Sequence, residues 1–150
     1  MTVAKARIAK TMHTGLTVSD LEKSIAFFRD VLGFEVSDRI EAKGPFFEEL
    51  VGVPGAEMVV AYVEAPGHTI ELLQYVKPDE RRKTDLRPCD TGFVHMAFEV
   101  EDLDAVVAAV TDAGLEPFSP PLTSPRKRRV VYTRDPDGHV LEFMQPAPAE

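Results

Sequence analysis

The sequence predicts an α+β fold made of two β-α-β-β-β halves. The main observation is a repeat, because four landmarks recur in the same order along the 150 residues. Four landmarks in one order favour duplication over a chance match. The second observation is that strand-like and helix-like patterns follow the same succession after each landmark. The landmark pairs are His13 with His95, Asp20 with Asp102, Gly33 with Gly114, and Glu71 with Glu142.

The first half opens with a strand that leads into a helix, in the segment HTGLTVSDL at 13–21. Ser19 and Glu22 predict a capping box at the helix start, and apolar residues at helical spacing run on to Gly33. The apolar positions are Leu21, Ile25, Phe28 and Leu32. Three further strands are predicted at 34–40, 58–64 and 69–76, with a short helix around Phe46–Leu50.

The second half repeats this order. A strand at 93–100 precedes a helix from Asp102 to Ala113, and 115–118 is a short strand candidate. After a Pro-rich loop, a strand at 128–134 runs through the turn DPDG into a last strand at 139–145. We therefore predict a single domain over 11–146, with halves at about 11–76 and 91–146 and a polar linker at 77–90.

Composition narrows the class of protein. The chain is 44% hydrophobic, enough for one compact core, and its net charge of −8 argues against binding to nucleic acid. No apolar run has the length of a membrane span, and the first residues do not resemble a secretory signal. The single cysteine, Cys89, excludes an internal disulfide framework. These features predict a cytoplasmic protein with no membrane contact.

Strand parity tests the His and Glu landmarks, because successive side chains of a strand point to opposite faces. Glu71, His95 and Glu142 each lie opposite the more continuous apolar face of their strand. His68 and His139 stand three residues before the two glutamates, and on a strand that spacing places them on the other face. We therefore exclude both from the candidate site.

Two histidines and two glutamates are the residue types of a divalent metal site. A repeat could close two equivalent faces into one cleft that contains His13, Glu71, His95 and Glu142. The set does not choose among zinc, nickel, cobalt, manganese and iron. The competing interpretation is that both histidines are polar residues satisfied within a sheet.

The chain resembles the vicinal oxygen chelate superfamily over about residues 11–146. The resemblance rests on three segments, HTGLTVSDLEKSIAFFRDVLGFEV, HMAFEVEDL and DPDGHVLEFMQ. It implies the glyoxalase/bleomycin resistance/dioxygenase fold, in which paired βαβββ modules form a cupped mixed sheet around one divalent metal ion. The implied metal ligands are His13, Glu71, His95 and Glu142.

The resemblance is greatest to glyoxalase I and methylmalonyl-CoA epimerase. It implies a metal-dependent lyase or isomerase that abstracts a proton beside a carbonyl, with the enolate stabilised by the metal. Glu142 is favoured as ligand and candidate base, and Glu71 as ligand or opposing acid/base. The substrate would be a small molecule, such as a thiol adduct or an acyl-CoA whose phosphates meet Arg126–Arg129 or the arginines at 81, 82 and 87.

Two other functions stay open. An extradiol-type dioxygenase would use Fe(II) on His13, His95 and Glu142 and would leave Glu71 surplus. A non-catalytic binding protein for an antibiotic or other small molecule would need no metal set. The sequence also departs from both leading enzymes, with Leu72-Leu73-Gln74-Tyr75 after the first Glu and Val94-His95 in the second half. We expect a homodimer, and the cup could close within one chain or across the dimer.

Overall fold

The structure, a computed structural model, describes residues 6–148 and contains two β-sheets within that range. The first half comprises β1 His13–Thr17, α1 Leu21–Ala26 with a π-helical turn Phe27–Val31, β2 Glu35–Val36, β3 Ile40–Lys43, α2 Pro45–Val51, β4 Glu57–Ala65 and β5 His68–Lys77. The second half comprises β6 His95–Glu99, α3 Leu103–Asp112, β7 Leu122–Thr123, β8 Arg129–Arg134 and β9 Val140–Gln145.

The two sheets have matching topology. The first has the order β1-β5-β4-β2, with β3 also paired to β4, and the second has the order β6-β9-β8-β7. In each sheet the opening strand pairs in parallel with the last strand, while the remaining pairs are antiparallel. The prediction of an α+β fold with mixed sheets is confirmed. As a consequence, β1 and β6 are edge strands within the described chain.

The start of the first helix differs from the prediction. Asp20 is the N-cap, and its side chain accepts a hydrogen bond from the backbone N–H of Lys23. Glu22 pairs instead with Arg39, so the predicted capping box of Ser19 and Glu22 is wrong. Asp102 caps α3 in the same way. A carboxylate directly before each helix satisfies a free N–H, which explains why the Asp landmark is repeated.

Two strand predictions are also corrected. The strand expected at 34–40 is split into β2 and β3, because the Ser37 hydroxyl accepts the hydrogen bond of the Tyr62 backbone N–H. The first sheet therefore has five strands instead of four. Residues 115–118 form no strand. Only Phe118 bonds to β8, and the prolines that follow donate no hydrogen bond, so pairing resumes at β7.

The main core lies on the helix side of both sheets. Leu21, Ile25 and Phe28 pack with Ile70 and Leu72 there, and the same cluster continues into the second half. A smaller cluster lies on the other face of the first sheet, where Phe47 and Val51 of α2 pack against Met58 and Val60. The helices α1 and α3 thus occupy one face of their sheets, whereas α2 packs on the Glu71 face of the first sheet, beside the candidate site.

The halves meet without joining their sheets. The Phe34 ring lies 5.8 Å from the Phe98 ring, and the Ser19 backbone N–H donates to the Asp137 carboxylate at 2.7 Å.

The chain exposes 10665 Å² of surface, whereas a compact protein of 16.6 kDa exposes about 7600 Å². The seven residues outside the described range would add about 1100 Å² if fully exposed, so most of the excess belongs to the described part. None of the described helices has the length and hydropathy needed to cross a membrane.

Candidate metal centre

The first half places one His and one Glu side by side. His13 begins the edge strand β1, and Glu71 lies in its neighbour β5. The distance between His13 Nε2 and Glu71 Oε2 is 3.2 Å, with side-chain exposures of 40% and 17%. The pair therefore lies at the surface of the sheet, on the face opposite the buried Ile70 and Leu72.

The second half reproduces this geometry. His95 begins β6 and Glu142 lies in β9, with 3.2 Å between His95 Nε2 and Glu142 Oε2. The side-chain exposures are 37% and 18%, almost the same as in the first pair. The strand registers also agree, because Glu71 stands opposite Gly15 and Glu142 opposite Ala97, each two residues after the His.

The donor chemistry of each pair suits a metal ion. Two donors bonded to one zinc ion at about 2.1 Å stand about 3.4 Å apart at the tetrahedral angle. The observed 3.2 Å between imidazole nitrogen and carboxylate oxygen is close to this value, and it also suits a direct hydrogen bond. Each half thus presents two donors that one ion could share.

The chain brings the four residues together only as two pairs. Within residues 6–148, no group of three or more His, Cys, Asp or Glu side chains is placed to hold a metal ion. Each pair also has a large exposed apolar residue directly before its histidine, Met12 at 63% and Val94 at 73%. Two equivalent half-sites therefore lie next to equivalent exposed apolar residues, each directly before an edge strand.

Two tyrosines next to these pairs were missed at the sequence level. Tyr62 stands opposite Glu71 in the β4-β5 register, and Tyr132 stands opposite Glu142 in the β8-β9 register. The hydrogen bond to Glu71 is the main cause that raises the pKa of the Tyr62 phenol. Burial, followed by the charge of Glu142, raises the pKa of Tyr132. Interpreting each Glu strand as half of a hairpin would have placed both phenols across from the carboxylates.

The excluded histidines have other partners, as strand parity predicts. The His68 ring lies 2.8 Å from the Thr14 hydroxyl. His139 Nδ1 lies 2.8 Å from the carboxylate of Asp135, a residue with only 2% exposure. The hydrogen bond to the Asp135 carboxylate is the main cause that raises the pKa of His139.

The remaining sequence candidates lie outside the two pairs. Glu99 is exposed at the end of β6, and Cys89 is an exposed free thiol in the segment between the sheets. Among the basic residues, Arg87 pairs with Asp90 and Arg129 with Asp104, each at 2.7 Å. These contacts fit a solvated surface role for those two arginines.

Comparison with known proteins defines the family. The sequence model of the family described as Glyoxalase/Bleomycin resistance protein/Dioxygenase superfamily matches residues 10–143. The chain belongs to this superfamily. In three dimensions it is similar to a glyoxalase family protein from Bacillus cereus, with a TM-score of 0.87, 21% identity, and coverage of 98% of this chain and 100% of the other.

Several relatives carry names of enzymes, among them a lyase and an epimerase. A lactoylglutathione lyase of Pseudomonas putida is 29% identical over 151 residues, covering 91% of this chain and 84% of the relative. A 2-epi-5-epi-valiolone epimerase of an Actinomyces species is 33% identical over 97 residues, covering 62% of this chain and 52% of the relative. The superfamily rests on the match of its family model to residues 10–143, and these two relatives are named for a lyase and an epimerase.

Proposed function

We propose that the protein is a metal-dependent lyase or isomerase that abstracts a proton beside a carbonyl of a small-molecule substrate. The observation that carries the proposal is the matched His-Glu geometry, with a 3.2 Å donor spacing in both halves. The superfamily membership and the relatives named as lyase and epimerase support the reaction class. The ligands would be His13, Glu71, His95 and Glu142.

The residues divide into two tasks. A divalent ion, when bound, supplies Lewis-acid polarisation of the substrate carbonyl. The two imidazole nitrogens would hold the ion, and a carboxylate oxygen beside them accepts the substrate proton. We assign Glu142 as the base and Glu71 as the ligand or opposing acid/base. Beside Glu71, the small cluster that includes Leu73 and Tyr75 offers an apolar surface to the substrate.

We propose further that two copies of the chain complete each site. One His-Glu pair supplies only two donors, while catalytic metal sites take about three protein ligands. The first half of one copy would face the second half of the other, which gives two equal sites in a twofold dimer. Three observations support this arrangement: the excess exposed surface, the unpaired edges of β1 and β6, and the exposed Met12 and Val94 beside the histidines.

A proton-exchange assay tests the reaction class. The protein is incubated in D₂O with the glutathione adduct of methylglyoxal or with methylmalonyl-CoA, and NMR follows loss of the C–H signal beside the carbonyl. We expect exchange with added Zn²⁺, Ni²⁺, Co²⁺ or Mn²⁺ and none after treatment with a chelator. Oxygen uptake with catechols and Fe(II), without proton exchange, would replace this proposal with the dioxygenase reaction.

Mixing two inactive variants tests the shared site. One variant carries His13→Ala and Glu71→Gln, and the other carries His95→Ala and Glu142→Gln. If sites form across two copies, random exchange of subunits restores about a quarter of the wild-type sites, because half of the dimers then hold one intact site. A cup closed within one chain predicts no restored Co²⁺ binding and no restored activity. Each variant alone, taken through the same unfolding and refolding, is the control.

A further inference from the structure

The two tyrosines opposite the glutamates occupy equivalent positions in the repeat. Tyr62 lies in β4 and Tyr132 in β8, each directly across an antiparallel pair from the Glu of its half. Side chains at such positions share one face of the sheet and lie close enough to contact each other. Both phenols therefore belong to the surroundings of the His-Glu pairs.

The contacts of the two phenols differ. Tyr62 Oη donates a hydrogen bond to Glu71 Oε1 at 2.9 Å. Tyr132 Oη lies 3.4 Å from His95 Nε2, which is long for a hydrogen bond. No donor within the described residues hydrogen-bonds to Oε1 of Glu142, whose Oε2 lies beside His95. The two halves thus differ in one respect: the Glu71 carboxylate accepts a hydrogen bond from a tyrosine and, within the described residues, the Glu142 carboxylate does not.

This inequality has a chemical consequence. Both oxygens of Glu71 are engaged, one by the Tyr62 phenol and the other beside His13 Nε2. The phenol holds one oxygen of the carboxylate and leaves Oε2 as the oxygen beside the His13 imidazole. Hydrogen bonds to ligand side chains orient them and affect metal affinity. Within residues 6–148, Glu142 keeps one oxygen without a hydrogen-bond donor, so this oxygen is available to accept a proton.

We infer that Tyr62 is a positioning residue that holds Glu71 as a fixed metal ligand, so that proton transfer falls to Glu142. The inference rests on the proposed function. The hydrogen bond from Tyr62 to Glu71 makes the two halves unequal, because the phenol of Tyr132 lies beside His95 instead of bonding to Glu142. Because Tyr62 acts through Glu71, its effect should appear in metal binding before any substrate is present.

Substitution of each tyrosine by phenylalanine tests the inference, with Y132F as the matched control for Y62F. Metal-free protein is titrated with Co²⁺, and the visible absorption of the bound ion is recorded. We expect Y62F to lower Co²⁺ affinity about tenfold to a hundredfold and to shift the spectrum, as removal of a group that orients a ligand does. For Y132F we expect a loss smaller than about threefold, because its contact is long. Thermal unfolding of the metal-free variants checks that both fold.

A double-mutant cycle separates positioning from a general structural effect. In a Glu71→Gln background, which keeps an oxygen ligand, Y62F should cause little further loss of Co²⁺ affinity, because the two residues act as one unit. Equal losses for Y62F and Y132F, or full additivity of Y62F with Glu71→Gln, would overturn the inference. Failure of the wild type to bind Co²⁺, or unchanged binding by His13→Ala and His95→Ala, would instead overturn the proposed function.

Discussion

The two halves of the chain present the same His-Glu pair in different surroundings. Distances and exposures agree closely between the pairs of His13 with Glu71 and His95 with Glu142. Beside Glu71, however, α2 packs over the sheet and builds an apolar cluster. In the second half the chain between α3 and β8 contains a Pro-rich loop and the two-residue strand β7, without a counterpart to α2.

This difference indicates how a duplicated unit divides its tasks. The elements that fix the pair, the opening strand and the last strand, are the same in both halves. The elements that border it differ, because the middle segment of the first half is longer and forms a helix. Under the proposed function, a symmetric donor set would bind one ion while the different borders of the two halves contact the substrate differently.

The largest expected effect concerns the two carboxylates. Glu142→Gln should lower the turnover of the proton-exchange substrate at least a thousandfold, since general-base catalysis contributes about 10²- to 10⁴-fold and a ligand charge is lost as well. Glu71→Gln should reduce turnover about tenfold, the low end of the effect of a weakened ligand shell. The measurement is kcat and KM for both variants at saturating metal. Near-normal turnover by Glu142→Gln would remove Glu142 from the mechanism.

A smaller effect is expected on the pH dependence of stability, which should differ between variants of the equivalent residues His68 and His139. Asp135 raises the pKa of His139 in the folded protein. The charged pair therefore stabilises the fold fully at pH values below about 6.5, the pKa of His in the unfolded chain. This stabilisation is lost as the pH rises through the higher pKa of the folded protein. His139→Gln should remove about 1.5 kcal/mol at pH 6 and progressively less at alkaline pH. His68→Gln is the control, since the His68 ring hydrogen-bonds to the Thr14 hydroxyl, which carries no charge. The measurement is urea unfolding at several pH values, and parallel curves for both variants would contradict the expectation.

The smallest effect tests the backbone equivalence of the halves. Gly15 faces Glu71 as Ala97 faces Glu142, and a Cβ at Gly15 would lie 3.6 Å from Glu71 Oε2 and 3.4 Å from a Leu73 methyl group. Both are ordinary contacts, so Gly15→Ala should change unfolding free energy by less than about 1 kcal/mol and leave Co²⁺ affinity within about threefold. A tenfold loss would show that the half-sites differ in backbone as well as in side chains. Urea unfolding and Co²⁺ titration provide both numbers.

Much of the site's local geometry was accessible from sequence. Strand parity placed Glu71 and Glu142 on the face opposite the buried leucines and removed His68 and His139, because a two-residue period leaves little choice. The phenols of Tyr62 and Tyr132 were missed, since their position depends on the register between strands. The N-cap was misplaced by one residue, because Ser19 and Asp20 both favour that position and only the observed backbone identifies Asp20.

The sequence by itself determined the duplicated α+β architecture, because strand and helix periods and the repeat at His13 and His95 are local patterns. The pairing of each His with the Glu of its own half followed from the three-dimensional structure, where the parallel contacts of β1 with β5 and β6 with β9 join distant segments. The structure also decided that the two pairs stay apart within the described chain. That separation depends on how the halves pack, through contacts such as Phe34 with Phe98, which no periodic pattern encodes.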